Sequence, residues 1–319
     1  MPDLSISLGT LTLRNPVLVA AGTFGYGLEF AQAVRLERLG GLVTKTLTRY
    51  PRSGNPPPRL VDTPSGMLNA VGLQNVGLEA FVVETLPQLA RHRVPVIVSI
   101  LAETPEEATE MAEQVEYAEG AAALELNLSC PNLHRESGGR HVLLIAQDAE
   151  QTARLVQAAR QRLRKPLIAK LSPDVTDLRP IAQAAERTGA DALSIGNTFV
   201  GMSLDPATRR SRLGTMTGGV SGPAIRPLAL YRVWYTAASV RVPIIGVGGI
   251  VRAAEAVEFF LAGASAVAVG TANFADPRAP LRIVSGLKRY LRQQRLDSIG
   301  ALRGALDMTN PTACQRPTG

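Results

Sequence analysis

The chain has 319 residues, a formal net charge of +7, 45% hydrophobic and 19% charged residues. That balance excludes a disordered or fibrous chain, and the length suits one large domain such as an α/β barrel. Only four of the 34 basic residues are lysines (Lys45, Lys165, Lys170 and Lys288), no Lys/Arg run exceeds two, and aromatics are 4%, so a mildly basic surface suited to small anions is expected rather than a nucleic-acid interface.

The opening stretch, MPDLSISLGTLTLRNP, lacks the basic-then-apolar layout of a signal peptide. No apolar run approaches the ~20 residues of a membrane span. A cytoplasmic protein without membrane attachment is expected. Residues 4–8 and 11–13 read as a β-hairpin that plugs the bottom of a barrel. Eight short apolar, β-rich runs follow: 16–21 (PVLVAA), 41–46 (GLVTKT), 94–100 (VPVIVSI), 122–126 (AALEL), 166–171 (PLIAKL), 192–196 (ALSIG), 242–247 (VPIIGV) and 266–270 (AVAVG). Amphipathic helical patterns lie between them, among them 105–119 and 146–162. Continuous apolar strands alternating with helices mean a parallel sheet buried on both faces. Eight such units predict a closed (β/α)8 TIM barrel, with an open doubly wound sheet as the alternative.

Three connections after strands are long: 49–75, 129–142 and 197–223. In a barrel such loops lie on the catalytic face and form lids or binding walls. No linker marks off a second domain, so residues 1–319 are read as one.

The strand ends carry the chemistry. Lys45 and Thr46 end the second strand, and Lys170 the fifth. Asn127 opens the segment NLSCPN after the fourth, and Asn197 and Thr198 follow the sixth. Gly248-Gly249 and Gly270-Thr271 end the seventh and eighth, where a barrel commonly holds phosphate, since glycine lets backbone N–H groups approach the oxygens closely. Cys130 sits on a polar loop beside asparagines, where a thiolate serves as a base; the alternative is a small buried hydrophobe. Cys314, in a Pro/Thr-rich tail, has no such context. The two cysteines are too few for an iron–sulfur cluster, and His92, His134 and His141 show no metal-ligand spacing, so no metal is expected. His134 and His141 share the Cys130 loop, where either can contact ligand. Glu125 and Asp174 lie near the barrel mouth without forming an acid–base pair.

The segments SGMLNAVGLQN (65–75), NLSCPN (127–132), KLSPDVTD (170–177), TGGVSGPAIRP (217–227) and VAVGTANFADP (267–277) resemble the dihydroorotate dehydrogenase catalytic subunit. The resemblance reaches to about residue 290 and is closest to the class 1B, NAD-linked type. It implies a TIM barrel holding FMN that oxidises dihydroorotate to orotate in pyrimidine synthesis. Cys130 is then the base that takes a proton from carbon 5, while hydride leaves carbon 6 for flavin nitrogen 5. Substrate contacts map to Lys45, Asn69, Ala70, Val71, Gly72, Leu73, Asn127, Asn197 and Thr198. Flavin contacts map to Ala21, Lys45, Thr46, Ser99, Asn127, Lys170, Gly196, Gly222, Gly248, Gly249, Gly270 and Thr271.

This chain departs from the family pattern in four places. Ser99 stands for an asparagine, Ala21 for a serine and Gly196 for a bulkier residue. The loop LHRESGGRHVLL after Cys130 lacks the usual glycine-phenylalanine pattern. The resemblance also implies a homodimer, or a heterotetramer with a second subunit carrying FAD and an iron–sulfur cluster. Rival readings are a dihydropyrimidine dehydrogenase-like subunit, a fumarate-linked class 1A enzyme, a tRNA-dihydrouridine synthase and a non-catalytic barrel. The RNA enzyme is disfavoured because only about 30 residues follow the last barrel helix. A class 2 membrane enzyme is set aside because its base is serine.

Overall fold

The computed structural model describes residues 2–129 and 145–309. Strands β1 (Ile6–Leu8) and β2 (Leu11–Leu13) pair antiparallel, as the hairpin pattern predicts. Eight strands then close a parallel barrel: β3 (Val17–Val19), β4 (Gly41–Val43), β7 (Val96–Ile100), β8 (Ala121–Asn127), β9 (Leu167–Leu171), β10 (Ala192–Ile195), β15 (Ile244–Val247) and β16 (Ala266–Val269). Each coincides with one of the eight predicted apolar runs. β16 pairs β3 in register Val267↔Val17, which closes the ring and rules out the open sheet.

The alternation of a strand decides which side chains reach the interior. On β9, Leu167, Ala169 and Leu171 belong to the core between barrel and helices, and Ile168 to the core inside the barrel. The interior core also takes Leu18, Val43, Ile97, Ala123, Ala192, Ile245 and Ala266. Leu8 and Leu13 of the hairpin are fully buried in the same cluster, so the hairpin does plug the barrel. Polar side chains cluster at the opposite end, where the strands finish.

The outer layer holds α1 (Leu78–Ala80) and α2 (Leu86–Ala90) around a π-turn at Phe81–Thr85, then α3 (Pro105–Tyr117), α4 (Ala149–Arg162), α5 (Arg179–Arg187), α6 (Arg226–Ala237), α7 (Ala253–Leu261), α8 (Ala272–Ala275) and α9 (Ala279–Gln293). The Thr104 side chain caps α3 by accepting from Glu107 N at 3.2 Å. Residues 146–148 are not part of α4 as predicted, because Asp148 accepts from Glu150 N at 2.8 Å and so starts the helix at Ala149. Among the described residues no helix is long and apolar enough to cross a membrane.

Two of the long connections expected to form lids or binding walls contain strands of their own. β5 (Leu60–Thr63) and β6 (Gly66–Asn69) come from the first, and β11 (Phe199–Gly201) and β14 (Gly218–Ser221) from the third. They form one antiparallel sheet in the order β11-β14-β6-β5. A two-residue ribbon, β12 (Leu204–Asp205) with β13 (Arg210–Ser211), extends from the third connection. The pairing Gly219↔Asn69 joins residues far apart in the chain, and GMLN and GGVS carry no strand signal of their own.

Lys165, which the composition left without a role, closes the end of a helix. Its Nζ donates to the carbonyls of Val115 and Ala118 at 2.9 Å each, and Glu116 accepts from Arg164 N and Lys165 N. Burial holds this ammonium below the ordinary lysine value, with Glu116 opposing. Lys165→Met is expected to lower unfolding stability by about 1–2 kcal/mol by orphaning two carbonyls. Urea denaturation measures this, and an unchanged midpoint would show that water caps the helix equally well.

Candidate active site

The C-terminal ends of the barrel strands and one face of the loop sheet enclose a cavity of about 1180 Å3, mouth included. All but three of the residues expected to contact substrate or flavin line it: Ala21, Lys45, Thr46, Asn69, Val71, Gly72, Leu73, Asn127, Lys170, Asn197, Thr198, Gly222, Gly248, Gly249, Gly270 and Thr271. The loop sheet adds Met67 and Ser221, and the eighth strand's turn adds Phe274. No periodicity marks these in the sequence, since they reach the wall through the unforeseen sheet and a short helix.

The other three expected contacts lie behind the wall. Ala70 is buried in a small core with Leu68 and Leu213, and its carbonyl accepts from Asn55 Nδ2 at 3.1 Å. Ser99 is fully buried and bonds to Thr46 Oγ1 at 3.0 Å and Glu125 Oε1 at 2.9 Å. Gly196 packs so closely that a Cβ would stand 2.1 Å from the Val247 carbonyl oxygen. The place where the family carries a bulkier residue is therefore closed by backbone here.

Side-chain amides order one wall. Asn127 Nδ2 donates to Thr46 Oγ1 at 3.0 Å, and Asn127 Oδ1 accepts from both N and Oγ of Ser129 at 3.2 Å. Asn197 Nδ2 donates to Ser129 Oγ at 2.8 Å, and Asn197 Oδ1 accepts from Thr198 N at 2.8 Å. Asn69 Nδ2 reaches across the loop sheet to the Gly219 carbonyl at 3.1 Å. The turn carrying Gly72 and Leu73 is left-handed at both residues, φ 73° and 55°. Asn75, missed as a site residue although it ends the motif SGMLNAVGLQN, holds that turn. Its amide donates to the Leu73 carbonyl and Thr48 Oγ1 and accepts from the N–H groups of Thr48 and Gly77. A buried asparagine with every valence used is a rigid clamp.

Lys170 stands within this wall, paired in register with Asn127 on the neighbouring strand, and glycine turns edge the side across the barrel. The Lys170 side chain follows Ile168 on the inward face of β9 and is only 5% exposed. It lines the cavity with no partner for its ammonium among the described residues. An ammonium set into a cavity wall suits a negative ligand. Gly222 and Gly249 both have positive φ, 96° and 69°. A Cβ on Gly249 would sit 2.9 Å from the Gly222 carbonyl oxygen, and one on Gly222 would sit 2.6 Å from Gly66 Cα. Only glycine fits at either place, and backbone rather than side chain faces the cavity there. The donor set (an ammonium, amides and bare backbone at strands seven and eight) fits a planar anionic ring with a phosphate tail, the chemistry of a flavin mononucleotide.

Asp174 ties three segments near this end. Its Oδ2 accepts from Val200 N at 3.1 Å, and its carbonyl accepts from Gln147 Nε2 at 2.7 Å. Burial pushes its carboxyl above the ordinary value of 3.8, against the Val200 amide and Arg232. The folded state thus holds this proton more tightly than the unfolded chain, and stability from this group is lost as pH rises from 3.8 through the folded value. Asp174→Asn keeps the acceptor and removes the charge. It is expected to be more stable than wild type at pH 7 by under about 1 kcal/mol, because the side chain is partly exposed. The gain should shrink toward pH 4 in urea titrations, and a loss at pH 7 would contradict the sign.

Cys130, His134, His141 and Cys314 lie outside the described residues. His92 is half-buried and does not line the cavity.

Fold and cavity together are those of an α/β barrel with a ligand site at the C-terminal ends of its strands. The family profile described as dihydroorotate dehydrogenase matches residues 3–291. Two similar proteins carry the name dihydroorotate dehydrogenase B (NAD(+)), catalytic subunit. The one from Pelobacter propionicus is 50% identical and the one from Trichlorobacter lovleyi 49% identical, each over 306 residues, 96% of this chain and 99% of the relative. A solved structure of DHODH in complex with ferulenol from Eimeria tenella matches with a TM-score of 0.78 at 26% identity, covering 96% of this chain and 89% of that one. The chain belongs to the dihydroorotate dehydrogenase family, and it is an oxidoreductase with a flavin cofactor.

Proposed function

We propose that this chain is the FMN-containing catalytic subunit of a class 1B, NAD-linked dihydroorotate dehydrogenase, with Cys130 as its base. Oxidation of dihydroorotate to orotate, a step of pyrimidine biosynthesis, is the activity of its family. The observation that carries the reading is the tie Asn127–Ser129–Asn197. It fastens residue 129, which immediately precedes Cys130 in the chain, to the amide-lined wall of the cavity.

Each residue then has a task. Lys45, Asn69, Asn127 and Asn197 offer donors and acceptors to the carboxylate and the alternating carbonyl and N–H groups of a planar pyrimidine. Gly72 and Leu73, held by Asn75, present backbone to the same ligand. Lys170, Thr46 and Thr271, with Ala21, Gly222, Gly248, Gly249 and Gly270, line the space for FMN. Ser99 and Gly196 act from behind that wall, Ser99 by supporting Thr46. When bound, FMN supplies the acceptor for the hydride leaving carbon 6. The Cys130 thiolate takes the proton from carbon 5, and charge develops on a substrate held among fixed dipoles rather than water.

The reading includes a cytoplasmic homodimer, joined by a second subunit that carries FAD and an iron–sulfur cluster and passes electrons to NAD. The name of the Pelobacter propionicus relative, a catalytic subunit linked to NAD(+), supports a partner. The test is anaerobic. Dihydroorotate added to the FMN-loaded chain should bleach the flavin absorbance, and NAD should restore it only with the second subunit present. Reoxidation by fumarate would move the assignment to class 1A. No bleaching would remove the dihydroorotate reading for this chain.

A further inference from the structure

Among the described residues, Glu125 is a buried carboxylate of the barrel interior that the proposed chemistry leaves unused. It is 2% exposed and lies on β8, two residues before Asn127 and on the same strand face. Ser99 Oγ donates to its Oε1 at 2.9 Å. Thr46 Oγ1 lies 3.0 Å from Ser99 Oγ, and Asn127 Nδ2 donates to Thr46 Oγ1 at 3.0 Å.

Directions along this run follow from one end. A carboxylate accepts and never donates, so the single Ser99 hydroxyl proton is spent on Glu125. Ser99 must therefore accept from Thr46, and the Thr46 proton points away from the cavity. Thr46 in turn accepts from Asn127, whose Oδ1 is filled by two bonds from Ser129. What remains for a ligand is one N–H of Asn127 and one lone pair of Thr46. A ligand edge that satisfies both carries a carbonyl beside an N–H, as a cyclic imide or ureide does.

We propose that Glu125 is a positioning residue for the site: it sets the direction of every hydrogen bond through Ser99 and Thr46 to Asn127, and so selects ligands with an imide or ureide edge. This rests on the flavin and dihydroorotate reading above, because both of those ligands carry such an edge. The serine at position 99, a departure from the family's asparagine, becomes the link between carboxylate and wall.

The test uses the full chain as apoprotein and FMN-loaded protein, with Glu125→Met, Ser99→Ala and the double variant. Readouts are the FMN Kd by fluorescence quenching, the orotate Kd by flavin absorbance, and the carbonyl stretch of bound ligand by infrared difference spectroscopy. Each single variant should raise at least one Kd about tenfold, the worth of one net hydrogen bond. The carbonyl stretch should move to higher wavenumber, which a packing defect alone does not cause. The double variant should be no worse than either single one, since both cut one path. Unchanged constants with an unmoved stretch, or multiplying effects in the double variant, would overturn the proposal. If Glu125→Met fails to fold, Glu125→Gln replaces it. Its carboxamide both donates and accepts, so a smaller rise of about threefold and a split carbonyl band are expected, and wild-type values overturn the proposal. Should the wild type bind FMN yet resist bleaching by dihydroorotate, the functional reading falls, and the FMN constant and stretch still decide the role of Glu125.

Discussion

Cys130→Ser is expected to purify yellow, with its flavin in place, yet to be bleached by dihydroorotate about a thousandfold more slowly than the wild type. The flavin should stay because described residues from strand ends and glycine turns line the cavity proposed for it. The slowing follows from acidity. A thiol with a free pKa of ~8.5 has an accessible anion near neutral pH, whereas a serine hydroxyl does not, and removing a general base typically costs 10²–10⁴ in rate. Stopped-flow absorbance under anaerobic conditions measures the step directly. A rate equal to wild type would take Cys130 out of the mechanism. Loss of flavin would make it a cofactor residue instead.

Lys170→Ala should act on the flavin rather than on the proton transfer. The ammonium is buried, faces the cavity and has no partner among the described residues. Reduction places negative charge on the ring, so a nearby cation favours the reduced form and raises the potential. A charge-assisted hydrogen bond is worth about 1.5–3 kcal/mol. For a two-electron couple, that predicts a midpoint potential lower by about 30–60 mV, or a weaker FMN affinity if the oxidised form is also held. Lys170→Arg should not rescue it, because a forked guanidinium needs more room than a single ammonium at the end of a packed strand. Identical potential and flavin content in Lys170→Ala would place the cation elsewhere.

The eight barrel strands are legible in the sequence, and so are many of the residues that line the cavity. An inward and outward alternation such as Leu167-Ile168-Ala169-Lys170 tells which side chains face the interior, and the last inward residue of a barrel strand is by construction at the mouth. Lys45, Lys170, Asn127 and Asn197 were found because strand ends are locally encoded. Ser99 also lies near the end of an apolar run, yet it stands behind the cavity wall. Its side chain is turned to Glu125 and Thr46, and strand position alone does not say which neighbour a hydroxyl chooses.

The pairing of β16 with β3 decides that the strands close into a ring, whereas the eight strands themselves are specified by periodicity, a property of neighbouring residues. The sheet that walls the cavity was invisible to it. β6 and β14 are four residues each and glycine-rich, and they become strands only because the barrel carries their two connections to the same rim. The same holds for Lys165, which joined the composition as one of four lysines. Its place on the end of α3 depends on a helix some fifty residues earlier being packed against it. Local pattern sets an element because its hydrogen bonds and burial are settled within a few residues. Contacts between distant segments are set by closure of the whole chain, and there the walls of this site and the directions of its hydrogen bonds were decided.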